Sequence, residues 1–312
     1  SCTIENTTTY VVEASFSGDA SISLTNNRFS NNVNGVLLTL DGTSTVVCSE
    51  NTFEGQTSVS SIPLEIVANS NALTAHIENN VFNDNTTGSI KFDLNTAVNA
   101  DIAVLNNTIT NNGTGSQSSL GSSFVILPDG TTARCAIVCS GNTFSGNTSN
   151  ALYLHPQPGS EITTLELTAS TNTVSDQGGS ALVLGTPVDT LTLLATNNTI
   201  ARCGDNGIAI ISTTPSSTGS ITISNNTITD IENASNGIAI NQPFTTLNLT
   251  LLNNEIRRCK GTGILSYAPT NIDSLTLTVS GNTISHCENM SMNSASGLDI
   301  EQYVHLAASV TH

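Results

Sequence analysis

The sequence predicts an all-β protein, a right-handed single-stranded parallel β-helix of about 10–11 rungs with three short strands per rung. Three observations predict this fold. A motif of the form Asn-x-(Phe/Ile/Val) recurs ten times, apolar residues alternate with polar ones just before it, and a second apolar run follows it after a turn of small residues. Because the motif pervades the chain, we expect residues 1–312 to form one domain.

The motif asparagine marks the repeat. Successive motif asparagines are 24 to 35 residues apart, a period typical of solenoids. The spacing of leucine-rich repeats is absent, and propeller blades need a longer period. The motif asparagines are Asn27, Asn51, Asn80, Asn107, Asn142, Asn172, Asn198, Asn226, Asn254 and Asn282.

The first strand of each rung precedes the motif asparagine. The residues three and five positions upstream are apolar in every rung, and the residues between them are mostly polar. An apolar residue at every second position is the pattern of a half-buried strand. We therefore expect Ile221 and Leu249, each five positions upstream, to face the core.

The second and third strands follow the motif asparagine. The residue two positions downstream is Phe, Ile or Val in every rung, which predicts an aliphatic core with Phe29, Phe53, Phe82 and Phe144 inside it. After a small-residue turn comes a third apolar run, such as Gly-Ile-Ala-Ile at 207–210. Proline-bearing loops follow it, where the missing N–H does no harm.

The motif asparagines are predicted to form the corner between the first and second strands. Asparagine tolerates the left-handed backbone conformation that a sharp corner requires, and its amide can bond its copy in the next rung. Ligand binding by these residues is disfavoured, because ten equivalent turns imply a structural cause.

Charge and motif content exclude several function classes. The chain has 24 acidic and 7 basic residues, a net charge of −17, which repels nucleic acids and anionic membrane surfaces. No apolar stretch of 18 residues exists, so we expect no direct membrane insertion of this segment. The histidines share no metal-ligand spacing, and nucleotide and calcium-repeat motifs are absent, so we expect no cofactor and no metal.

Two further sequence features carry a resemblance. The third strand opens with small residues before an aliphatic one, as in Gly-Gly-Ser-Ala-Leu at 178–182. Three rungs extend the motif to Phe-x-x-Asn, namely Phe29 to Asn32, Phe82 to Asn85 and Phe144 to Asn147. In both features the chain resembles the chlamydial polymorphic membrane protein family, whose passenger repeats combine Phe-x-x-Asn with Gly-Gly-Ala-(Ile/Leu/Val). The resemblance implies an autotransporter passenger, often adhesive, at the cell surface.

One column of the repeat concentrates charge. Four positions after the motif asparagine, successive rungs carry Asp176, Arg202, Asp230, Arg258 and His286. Equivalent positions stack about 4.8 Å apart, so charges of alternating sign are neighbours along the rod. We favour a solvated ladder of charge pairs over a catalytic or anion-binding strip. The candidate surface for an anionic partner, the one locally basic area of the sequence, comprises Arg202, Arg257, Arg258, Lys260 and His286.

The seven cysteines are too dispersed for a disulfide framework. Cys203, Cys259 and Cys287 all lie five positions after a motif asparagine, and only the last two occupy adjacent rungs, about 5 Å apart. Cys259 and Cys287 are predicted to form either a disulfide, after exposure to an oxidising compartment, or two stacked free thiols. The cysteines at inward strand positions, expected to pack as small apolar groups, are Cys48, Cys135 and Cys139.

These observations favour a non-enzymatic adhesin, passenger or stalk, secreted or exposed on the extracellular side of the outer membrane. Its expected partner is a host or cell-surface receptor, protein or glycan. We expect the protein to be a monomer, although self-association is left open. We also expect the chain to be a fragment of a longer passenger, because both of its ends lie within rungs. Segment 113–123 of the longest repeat is predicted to be either a functional loop or a disordered insertion.

A trimeric fibre component is a third possible function. The main alternative is a polysaccharide lyase or glycoside hydrolase that acts on acidic polysaccharide. Such enzymes need a carboxylate pair, or a Lys or Arg base with calcium, on one face of adjacent rungs. Sugar sites also commonly offer aromatic platforms, and this chain has no Trp and four Tyr. We therefore favour the non-enzymatic reading.

Overall fold

The computed structural model is a parallel β-helix whose three faces are three parallel sheets. It describes residues 1–69, 72–95, 98–113, 121–155, 159–185, 187–212, 216–241, 243–288, 298–303 and 306–311. Within those residues each sheet has eleven strands, and each strand pairs with its equivalents in the neighbouring rungs. The predicted rung of three strands is confirmed.

Sheet 1 contains the short strands that follow the motif asparagine, and sheet 2 contains the third strand of each rung. The strands of sheet 1 are β1 (Thr3–Glu5), β4 (Arg28–Ser30), β7 (Thr52–Glu54), β10 (Val81–Asn83), β13 (Thr108–Thr110), β16 (Thr143–Ser145), β19 (Thr173–Gln177), β22 (Thr199–Cys203), β25 (Thr227–Ile231), β28 (Glu255–Cys259) and β31 (Thr283–Ser285). The strands of sheet 2 are β2 (Val12–Phe16), β5 (Val36–Leu40), β8 (Leu64–Ala68), β11 (Ile90–Leu94), β14 (Phe124–Pro128), β17 (Leu152–Leu154), β20 (Leu182–Leu184), β23 (Ile208–Ile211), β26 (Ile238–Asn241), β29 (Ile264–Ile272) and β32 (Leu298–Tyr303).

Sheet 3 contains the strands that precede the motif asparagine. Its strands are β3 (Ala20–Thr25), β6 (Ser44–Ser49), β9 (Ala72–Glu78), β12 (Asn99–Leu105), β15 (Thr131–Ser140), β18 (Glu161–Ser170), β21 (Val188–Thr196), β24 (Ser216–Ser224), β27 (Phe244–Leu252), β30 (Ser274–Ser280) and β33 (Leu306–Thr311). The first strand, β1, belongs to sheet 1, and the last, β33, belongs to sheet 3.

The core is a continuous apolar column inside the three sheets. Ile221 and Leu249 are each 1% exposed and lie side by side in the register of sheet 3, which confirms the predicted strand register. Rings at equivalent positions stack: the centroids of Phe29 and Phe53 are 4.9 Å apart, and those of Phe53 and Phe82 are 4.8 Å apart. Burying each such side chain contributes about 2 kcal/mol. Phe144 and the cysteines Cys48, Cys135 and Cys139 are buried too, as predicted.

The motif asparagines form a ladder of amides along the inside of one corner. The Asn107 side chain shows the pattern: its Oδ1 accepts from the backbone N–H of Asn80 at 2.9 Å, and its Nδ2 donates to the carbonyl of Ile77 at 2.8 Å. The same arrangement recurs from Asn27 to Asn282. The predicted contact between asparagine copies in neighbouring rungs is therefore confirmed.

The prediction that these asparagines are themselves left-handed is wrong. The residue before each of them takes the positive φ, as at Asn79 (56°), Asn106 (54°) and Gly141 (67°). The motif asparagine must point inward for its amide to reach the next rung, so the backbone reverses one residue earlier. A second left-handed corner lies four positions after the motif asparagine, for example at Asp230 (59°) and Arg258 (54°).

Gly113 and Gly121 lie close together at the two ends of the undescribed part of segment 113–123. A Cβ on Gly113 would lie 2.9 Å from the carbonyl oxygen of Gly121, and Gly113 has a φ of +89°, so this position requires glycine. Residues 114–120 lie outside the described part of the chain.

Candidate functional site

The charged column predicted from the sequence forms discrete ion pairs. Arg202 donates from Nε and Nη2 to both carboxylate oxygens of Asp176 at 2.6 and 2.8 Å. Arg258 does the same to Asp230 at 2.5 and 2.8 Å. These hydrogen bonds lower the pKa of both carboxyls. The column is thus a ladder of solvent-exposed pairs.

The other predicted cations on this surface also have acidic partners. Arg257 pairs with Glu255, and Lys260 pairs with Glu232. Four cations of the candidate surface are therefore compensated by four carboxylates. His286 lies exposed at the next left-handed corner, with a φ of 56°. Asp176 and Asp230 belong to the charged column predicted from the sequence, and Glu232, like Lys260, lies six positions after a motif asparagine. Each of the four cations therefore has an acidic neighbour, and binding of an anionic partner to this surface stays a prediction.

The cysteine column lies just inside this corner. All seven cysteines have free thiols in the structure, and Cys203, Cys259 and Cys287 are buried. Cys259 and Cys287 lie in adjacent rungs, where the N–H of Glu288 donates to the carbonyl of Cys259 at 2.9 Å. A hydrogen bond from the Cys259 thiol lowers the pKa of Cys287 to about 7. The same contact raises the pKa of Cys259 above its ordinary value.

We expect Cys287 to be the most reactive of the buried thiols. The thiolate is the nucleophile, and burial raises the pKa of Cys48, Cys135, Cys139 and Cys203 to about 12. Alkylation of Cys287 in the folded protein should therefore accelerate as pH rises through about 7, while those four thiols stay unmodified. Peptide mapping after iodoacetamide treatment measures this order, and comparable labelling of Cys48 would contradict it.

Counting thiols in denaturant distinguishes the two predicted states of the Cys259–Cys287 pair. Seven titratable groups correspond to free thiols throughout the chain. Loss of two groups, restored by a reductant, would indicate the disulfide.

A lysine and two carboxylates meet on the outer face of sheet 2. The Lys91 Nζ lies 2.8 Å from Glu65 Oε1 in the adjacent rung and 2.8 Å from Asp93 Oδ2 in its own strand. The three side chains are only 15%, 14% and 23% exposed, respectively. Burial works against the lysine charge, but the hydrogen bonds to Asp93 and Glu65 outweigh it and raise the pKa of Lys91. Burial also raises the pKa of Asp93.

Lys91 and Asp93 of this cluster line a cleft on that face, and a second cleft lies on the same face. The first cleft, of about 310 Å³, is bounded by Lys91, Asp93, Leu127 and Asp129. The second, of about 400 Å³, contains Tyr153 and His155. Leu127 pairs in register with Asp93, and the N–H of His155 donates to the carbonyl of Ile126, so the clefts follow each other along the rod.

The second cleft combines an aromatic ring with polar groups. Tyr153 Oη and His155 Nδ1 are 2.7 Å apart, and the two ring centroids are 4.9 Å apart. Burial lowers the pKa of His155, which keeps the imidazole neutral at neutral pH, and raises the pKa of Tyr153. The remaining lining residues include Thr148, Asn150, Gly178, Gly179 and Asp205.

The sequence reasoning missed both clefts. It considered the histidines only as metal ligands and gave Lys91 no role. The available signal was the distance of 26 residues from Glu65 to Lys91, which is close to the repeat and places the two side chains in adjacent rungs.

The outer face of sheet 3 carries mostly small hydroxyl side chains. Thr222, Thr250 and Thr278 form one column of paired positions in β24, β27 and β30. A second column of paired positions lies two residues earlier along the same strands. In it, Glu166 is followed in the next rungs by the uncharged residues Thr192, Ser220, Asn248 and Thr276. These side chains are exposed or half-buried, so this face offers many similar polar contacts.

Comparison with known proteins agrees with this architecture. The family model described as the right handed beta helix region matches residues 129–304, more than half of the chain, and the chain belongs to that family. It is a right-handed parallel β-helix repeat protein, as predicted. The family is compatible with surface adhesins or passengers and with polysaccharide-degrading enzymes. Neither the curated proteins nor the solved structures gave a match.

Two structural features are absent from the described residues. No group of three or more His, Cys, Asp or Glu side chains there is arranged to hold a metal ion. No helix in the same part of the chain has the length and hydrophobicity needed to cross a membrane.

Proposed function

We propose that this protein is a non-enzymatic β-helix, secreted or exposed at the cell surface, that binds a host or cell-surface receptor as an adhesin or passenger. The observation that carries the proposal is the outer face of sheet 3, where hydroxyl side chains repeat in register over successive rungs. Such a face suits adhesion through many weak contacts. The Phe-x-x-Asn rungs add a resemblance to passengers of the polymorphic membrane protein family.

The charge distribution supports the same role. The predicted basic surface is compensated pair by pair, so its cations are not free to concentrate an anionic ligand. A surface of uncharged hydroxyls and matched ion pairs avoids nonspecific electrostatic attraction while it leaves hydrogen-bonding groups in place.

A glycoside hydrolase is the second candidate function, and the Lys91 cluster favours it. Asp93 has a raised pKa, as a general acid requires, and Glu65 lies across Lys91 from it. A lyase is less well supported, because a lysine base must be neutral and two carboxylates keep Lys91 protonated. Release of reducing ends from polysaccharides, lost in Asp93→Asn, would favour this candidate over the adhesin.

Binding of the labelled, full chain to cultured epithelial cells tests the proposed function. We expect saturable binding that falls at least tenfold when Thr222, Thr250 and Thr278 are all changed to Glu, because three stacked charges disrupt the hydroxyl face. The matched control changes Thr143, Thr173 and Thr199, three paired positions on sheet 1, to Glu. Circular dichroism checks that both variants fold. Absence of saturable binding, or equal loss in both variants, would contradict the proposal.

A further inference from the structure

We propose that the Tyr153–His155 cleft on sheet 2 is a binding site for a neutral oligosaccharide. The inference rests on the proposed role in surface recognition and adds the chemical class of a ligand and its location, away from the hydroxyl face of sheet 3.

Two glycines and a fixed asparagine amide contribute to the lining of the cleft. Its volume of about 400 Å³ lies within the range of small-molecule sites. Gly178 and Gly179 form part of its lining, and a Cβ on Gly179 would lie 2.6 Å from Asn150 Oδ1. The N–H of Ser180 donates to that same oxygen at 2.8 Å, so the amide of Asn150 is fixed in position.

The polar groups match the hydroxyls of a sugar. A neutral imidazole has one donor and one acceptor nitrogen, and the contact with Tyr153 engages Nδ1. His155 Nε2 has no hydrogen-bond partner among the described residues, so it is available to a ligand hydroxyl. Asp205 is an exposed carboxylate on the lining of the same cleft and accepts hydrogen bonds from hydroxyls. The half-buried ring of Tyr153 supplies an apolar surface for the C–H face of a pyranose.

The charge of the cleft selects a neutral ligand over an acidic one. Asp205 is the charged residue of its lining among the described residues, and the chain as a whole carries −17. A uronate carboxylate would be repelled by this potential, whereas a neutral hydroxyl donates to Asp205 without cost. The acidic polysaccharides considered from the sequence are therefore poor ligands for this site.

The position of the cleft favours a chain of sugars over a single sugar. Tyr153 lies two rungs from Lys91 in the same column, with Val125 between them, which corresponds to about 10 Å. The first cleft therefore continues the second along the rod, with the buried Leu127 on the lining of the first cleft and the buried Val125 between Lys91 and Tyr153.

Isothermal titration calorimetry with purified hexasaccharides tests this inference independently of any cell. The neutral probes are cellohexaose, mannohexaose, xylohexaose and N-acetylchitohexaose, and hexagalacturonate is the acidic counterpart. We expect at least one neutral probe to bind, with affinity reduced tenfold or more in Tyr153→Ala and several-fold in Tyr153→Phe, which retains the ring. Tyr267→Ala is the matched control, because Tyr267 is a half-buried tyrosine on sheet 2 away from the cleft.

Three results would overturn the inference: no binding of any neutral probe, tighter binding of hexagalacturonate, or unchanged affinity in the tyrosine variants. Should Tyr153→Ala fail to fold, His155→Ala and Tyr153→Phe measure the same site. Cell binding without binding of neutral hexasaccharides would leave the adhesin proposal intact and reject this one. The reverse result would reject only the proposed cell-surface role.

Discussion

Ile221→Asp is expected to prevent the chain from folding. Ile221 is 1% exposed and packs in register between Leu193 and Leu249, with only apolar neighbours in its column. The substitution removes about 2–3 kcal/mol of apolar burial and adds several kcal/mol for an unpaired buried carboxylate. The total approaches the whole stability of a typical protein, about 5–15 kcal/mol.

The neighbouring residue provides the matched control. Ser220 precedes Ile221 in β24 and is exposed on the outer face of sheet 3, so Ser220→Asp adds the same charge without burying it. We expect Ser220→Asp to give wild-type soluble yield and a similar melting temperature, and Ile221→Asp to give insoluble protein without a cooperative melt. A soluble Ile221→Asp variant that melts like wild type would show that β24 has the opposite register.

The rungs were predictable because each inward position repeats in every turn. Residues such as Phe53 and Ile221 belong to columns whose members are all apolar, and period two then assigns the inner and outer faces without any tertiary information. Cys48 and Cys139 belong to the same inward columns, which is why their burial followed from the sequence.

The corner was harder to predict, because two adjacent asparagines occupy it in many rungs. At 79–80 and 106–107 the sequence reads Asn-Asn, and either residue tolerates a positive φ. Gly141 and Gly281 identify the left-handed position, because each directly precedes a motif asparagine. Their φ values are 67° and 65°, respectively. Glycine at that position, and not at the next, indicates which residue reverses the chain.

The clefts of sheet 2 were not predictable from the motif columns. The loop before the third strand differs in length between rungs, so the paired residues of this sheet lie at different distances from their motif asparagines. Lys91 and Tyr153 each lie 11 positions after a motif asparagine, but Glu65 lies 14 positions after one. Their proximity depends on the register of sheet 2, which the structure supplies. The acidic partner of Lys260, by contrast, follows from that count, because Glu232 and Lys260 each lie six positions after a motif asparagine.

Asn142→Ala is expected to destabilise the folded chain by about 4 kcal/mol, because it interrupts the asparagine ladder in the middle of the rod. Asn142 Oδ1 accepts from the backbone N–H of Asn107 at 2.9 Å and from its Nδ2 at 3.0 Å. Asn142 Nδ2 donates to the carbonyl of Val104 at 2.8 Å. Alanine removes the buried partner of the Asn107 N–H and one partner of the Val104 carbonyl, and each buried polar group that loses its partner costs about 1–3 kcal/mol.

Urea unfolding followed by circular dichroism measures this loss, and Asn248→Ala is the control. Asn248 is an exposed asparagine on the outer face of sheet 3, where water replaces its hydrogen bonds, so its removal should change the free energy of unfolding by less than about 0.5 kcal/mol. Equal effects of the two substitutions would contradict a structural role for the ladder. The substitution also removes the hydrogen bond from Asn142 Nδ2 to Asn172 Oδ1, at 3.1 Å, and a weak approach to the Cys139 sulfur. A large effect of Asn142→Ala alone would therefore show that the amides hold neighbouring rungs together.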